Sequence, residues 1–253
     1  MRELARRARK TDDPVAELRS WVEARRSGAL PEAAGVLVDR LSRGELDRER
    51  LALAAYAAHP GALALMMEET AYYAALAGDL AAVHVALGEE PGSYLEIDAW
   101  LLGLRRWGDE PVLVAQVAAT RRLVRVVEES VRATLWVDDD AIYYRGREEA
   151  FAASANALVE ASERALHSGV WPDSRSCSME ARRLASSDVH WHWPNVAEAV
   201  EETVEAVAAR SVLEGSFHMG LCFDALPGAS RTRVTPLDAA RSITTAVAAW
   251  ALR

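Results

Sequence analysis

The chain has 253 residues, of which 51% are hydrophobic and 26% charged, with a net charge of −9. It is long enough to bury a core without staples and too apolar to be disordered throughout. Its two cysteines, Cys177 and Cys222, exclude a disulfide framework and fit a reducing compartment. Lys10 is the only lysine, so P-loop and Schiff-base lysine chemistry are excluded from the rest of the chain.

The charge is uneven. Residues 1–26 hold eight basic against five acidic side chains, which leaves the remainder strongly acidic. Phosphate contacts need clustered cations, so nucleic acid is not expected as a partner. A basic protein partner is compatible with this balance, and so is a surplus of acid that only keeps the protein soluble. No continuous apolar stretch follows the basic Met1–Lys10 segment. The uncharged run Leu51–Met67 is broken by His59-Pro60-Gly61. A cytoplasmic protein without a membrane span is expected.

Alanine, leucine, glutamate and arginine dominate, and alternating β-branched patterns are scarce, which predicts an all-α fold. Asp12-Asp13-Pro14 opens a helix ending near Ser27-Gly28, and Pro31 opens one ending near Arg43-Gly44. Asp47 starts a third, which stops before His59-Pro60. A fourth spans about 61–77 and a short fifth ends at Gly88. Arg26 to Glu32 echoes Ser42 to Glu49, and Gly78-Asp79-Leu80 repeats the core of the pattern. Such turns suit stacked, solenoid-like helical hairpins.

Glu89-Glu90-Pro91-Gly92-Ser93 reads as a linker between a hairpin region at 1–90 and a helical bundle at 94–253, the two expected to pack as one continuous globular unit. Helices are expected at about 94–107 and 109–134, then a loop from Trp136 to Tyr144. A long helix follows over 145–167, with a short one near Met179–Ser186. The last two run from Pro194 to about Glu214 and from Pro236, after Thr235, to about Leu252. Their many alanines favour close packing as an antiparallel bundle.

Several catalytic patterns are missing. None of the six histidines has an acid three residues earlier, which excludes the Glu-x-x-His pairs of carboxylate-bridged dimetal bundles. H-E-x-x-H, G-x-S-x-G and G-x-G-x-x-G are absent as well. His190 and His192 lie on one side of an extended segment, and His218 and Cys222 share a helical face. Together with Cys177 they form a candidate nitrogen and sulfur metal site, although neither pair has a closed zinc spacing and aromatic neighbours suggest packing instead. No cofactor is expected.

Two segments suit a protein interface. Trp136, Asp138, Asp139, Asp140, Tyr143, Tyr144 and Arg145 combine acids with aromatic and arginine anchors. The plainer reading of the aspartates is a solvated turn capping the next helix. Glu198, Glu202 and Glu205, with Glu201, make an acidic ridge on one side of the helix after Pro194. Its plainer reading is an exposed face near a helix N-terminus.

From about Trp107 to Ser211 the layout resembles the immunity proteins of bacterial polymorphic toxin systems. The resemblance rests on Trp107-Gly108 before an alanine- and valine-rich helix. The Asp138–Asp140 run before Arg145 and Arg147 follows, then Glu149-Ala150 and an alanine-rich helix, and later Val196 to Ala209. It covers under half of the chain. The family's usual proline beside the arginine is replaced by Tyr143-Tyr144-Arg145-Gly146-Arg147. The resemblance implies a helical, non-enzymatic protein that blocks a cognate toxin by occlusion, and no catalytic residues. The alternatives are a metal-dependent or small-ligand helical enzyme using His190, His192, His218 and Cys222, and a structural subunit of a bacterial assembly.

Overall fold

A computed structural model of the chain describes residues 13–66, 94–133, 139–170, 173–186, 193–210 and 236–253. All regular structure among the described residues is helical, with no strand, so the chain is all-α. Its contacts divide into two compact units, Met1–Glu89 with Val247–Arg253, and Glu90–Ala246.

The first unit contains α1 (Pro14–Arg26), α2 (Glu32–Ser42) and α3 (Arg48–Tyr56), followed by helical residues 60–66. The starts are set by local chemistry. The Asp13 carboxylate accepts from the Val15 and Ala16 N–H groups, with Pro14 as the first helical residue. Asp47 accepts from the Arg50 N–H at 2.7 Å. Gly28 and Gly44 close α1 and α2 with φ of +70°, where a side chain would be strained. Leu37, Val38, Leu51, Leu53, Tyr56 and Met66 form the buried centre.

No residue of α1 is buried. It packs on α2 and is tied by a bidentate Arg25–Asp39 pair and by Arg48 donating to Glu17. Of the stacked hairpins expected here, the described residues show α1 on α2 and Gly61 against α2; the segment 67–93 lies outside them. The chain end joins this unit through arginines. Arg40 donates to the Leu252 and Arg253 carbonyls, and Arg50 donates to the Trp250 carbonyl. These cations sit where a helix C-terminus leaves carbonyls unpaired and carries partial negative charge. Residues 247–253 therefore group with 1–89.

The second unit contains α4 (Tyr94–Leu104), a 3₁₀ turn (Arg105–Trp107), α5 (Asp109–Ala133), α6 (Asp139–Ser168), α7 (Ser174–Ala185) and α8 (Pro194–Ala209). The final helix, α9 (Pro236–Ala251), runs from this unit into the first. α5, α6 and α8 each pack on the other two, α7 packs on α6 and α8, and α4 on α5. Val112, Leu113, Leu123, Val127, Phe151, Leu158, Val200 and Val204 are buried, with Ala115, Ala119, Ala155 and Ala197 between them. The alanines let the helix axes approach closely. No helix of the described residues is long and apolar enough to cross a membrane.

Three boundaries differ from the sequence reading. α6 begins at Asp139, not near Arg145, so residues 139–144 are helical rather than loop. Asp139 and Asp140 suit the positive end of a helix, and Gly146 costs a long helix only about 1 kcal/mol. α7 begins five residues before Met179 because Asp173 caps it, accepting from the Ser176 N–H. α8 ends at Ala209, since Arg210 turns left-handed with φ of +51° and its guanidinium donates to the Gly169 carbonyl.

His59 caps the helical residues 60–66: its Nδ1 accepts from the Ala62 N–H at 3.3 Å. Burial lowers its pKa below the usual imidazole value. A lowered value means the neutral ring contributes stability that is complete above about pH 6.5 and is lost as pH falls through the folded pKa. H59N keeps a capping acceptor without a titrating ring. Urea midpoints at pH 7 and pH 5 should therefore differ less for H59N than for the parent. A Cβ at Gly61 would lie 2.7 Å from the Ala33 backbone. G61A should cost about 1–3 kcal/mol in urea unfolding despite alanine's better helix propensity.

Candidate docking face on the eighth helix

α8 is two-sided. Val196, Ala197, Val200, Thr203, Val204 and Val207 are buried against the unit, and Glu198, Glu201, Glu202 and Glu205 lie on the remaining face. The spacing of the valines forces this arrangement, because residues three and four apart share a side. Each buried valine contributes roughly 1.5–3 kcal/mol. That is enough to hold α8 in place even where its acids are left in poor surroundings.

The four acids are not equivalent. Arg182 of α7 donates to Glu205 through Nε at 3.1 Å and Nη2 at 2.5 Å, and its Nε lies 3.8 Å from Glu201. Arg182 is 66% exposed, so the pairing orders the surface more than it stabilises the fold. Glu198 and Glu202 have no ion-pair partner among the described residues. Glu198 is exposed, whereas Glu202 is half-buried. Burial, reinforced by the Glu198 and Glu201 charges, pushes the Glu202 carboxyl up to about 7. At neutral pH it is held between its acid and its carboxylate.

Spacing alone puts Glu198, Glu202 and Glu205 forward together and does not distinguish among them. Arg182 as the internal partner of Glu205 was invisible there, because it comes from the packing of α7 on α8. Glu202 was named, but its burial depends on tertiary contacts and not on spacing.

Of the other predicted residues, Asp139, Asp140, Tyr143, Tyr144 and Arg145 fall in the first turns of α6. Trp136 and Asp138 lie outside the described residues. α6 and α8 pack together, so both groups belong to one unit, on different helices. His190, His192, His218 and Cys222 also lie outside the described residues. Among those described, no group of three potential metal ligands occurs. Cys177, one turn into α7, is half-buried, and burial raises its thiol pKa. That is the opposite of an activated nucleophile.

Comparison with family models, with curated proteins and with solved structures gives no match.

A raised carboxyl pKa places a cost on the folded state that grows as pH rises from the ordinary glutamate value to about 7 and is complete above it. E202Q removes that cost. It should stabilise the protein by about 1–3 kcal/mol at pH 8 and leave it nearly unchanged at pH 4, read from paired urea unfolding curves.

Proposed function

We propose that this protein is a non-enzymatic binding module whose partner is a basic protein surface. In keeping with the resemblance of its sequence to immunity proteins, we take the partner to be a toxin domain that it neutralises by occlusion in a bacterial cytoplasm. The observation that carries the reading is the pair Glu198 and Glu202, four residues apart on α8 and without an ion-pair partner among the described residues. Two carboxylates on successive turns match the fork of an incoming arginine, which can bind each or bridge both. Such a cation would offset the repulsion and the cost of desolvation that the free protein carries at Glu202. Part of the association energy is therefore stored in the unbound state.

The anchor chemistry on α6 supports the same reading. Tyr143, Tyr144 and Arg145 occupy its first turns beside Asp139 and Asp140. Tyrosine and arginine are the side chains that most often dominate interface energetics.

The reading has a signature beyond affinity. A partner cation placed against Glu202 lowers its pKa, so binding near pH 7 releases up to about half a proton per complex. Calorimetry of binding to the product of the neighbouring reading frame, in two buffers of different ionisation enthalpy, measures that release. The expected result is proton release that disappears in E202Q, with E198Q/E202Q binding at least about tenfold more weakly. Unchanged affinity in the double variant with no proton exchange would contradict the reading.

A further inference from the structure

We propose that the seam between α5 and α8 is an internal water-binding site, in which bound water bridges the Gln116 carboxamide to the Thr120 and Thr203 hydroxyls. Gln116 is 1% exposed, and neither its Nε2 nor its Oε1 meets a hydrogen-bond partner among the described residues. A buried primary amide offers two donors and two acceptor sites. Leaving such groups dry shifts the folding equilibrium by about tenfold or more per group.

One helical turn further on, Thr120 meets Thr203 of α8, with Oγ1 to Oγ1 at 2.8 Å and both residues fully buried. That contact uses the proton of only one hydroxyl, so the other hydroxyl proton and several lone pairs remain. Gln116 and Thr120 share a face of α5, at a Cβ separation of about 5–6 Å. A buried water needs two to four polar partners, and this seam supplies them from two helices. Leu113, Val117 and Ala119 of α5 and Val200 of α8 are buried as well. The site belongs to the interior of the second unit and stands independently of the docking face.

A double-mutant cycle on the full chain tests it, with Q116M and T120V as near-isosteric replacements. The expected result is that each single change lowers the folding equilibrium constant about tenfold, while the double variant loses little more than either one. An increase in that constant for Q116M, or fully additive losses, would overturn the proposal. A second measurement works on the unaltered protein if the variants fail to fold. Magnetisation transfer from water to the Gln116 side-chain NH₂ protons should show a long-lived bound water. Absence of that transfer would overturn the site.

Discussion

The burial of one side of α8 determines what its other side can do. Val196, Val200, Val204 and Val207 are buried in a helix that packs on α5, α6 and α7, so α8 cannot rotate without exposing them. Together they contribute several kilocalories per mole. The acids that share the helix must accept whatever surroundings that rotation gives them. Glu198 reaches solvent, Glu205 meets Arg182, and Glu202 is left half-buried beside two like charges.

That arrangement is a local conflict tolerated by a larger favourable packing energy. Local conflicts of this kind are where function is expected to sit, since a fold optimised only for stability would replace such an acid. The arginine budget of the chain sharpens the point. Arg25, Arg40, Arg43, Arg48, Arg121 and Arg183 all find carboxylates or carbonyls within the chain. Among the described residues no arginine pairs with Glu198 or Glu202, even though Arg182 stands one turn away at Glu205.

Much of the helical layout was legible because helix starts are written in short-range chemistry. Asp13-Pro14, Asp47 and Pro194 each open a helix where their local preferences say they should. Ends were harder to read. α8 stops at Ala209 because Arg210 adopts a left-handed conformation and its side chain holds Gly169, a partner 41 positions away. The start of α6 was hidden because an acidic run reads equally as a turn or as a first helical turn. The acidic ridge was visible as a stripe, but its inequality was not. Pairing by Arg182 and partial burial of Glu202 both arise from helix packing, which no local pattern encodes. The buried Gln116 was likewise unremarkable in sequence, a single polar residue within an apolar helix stripe.

The most direct measurement is a pH titration of the Glu202 side-chain carboxyl in the free protein, followed by carbon-13 chemical shift. A Glu202 midpoint near 7 supports a docking face that carries stored repulsion in the unbound state. A midpoint near 4.5, indistinguishable from a solvated glutamate, would show that α8 presents an ordinary wet surface and would remove the basis for a basic partner there.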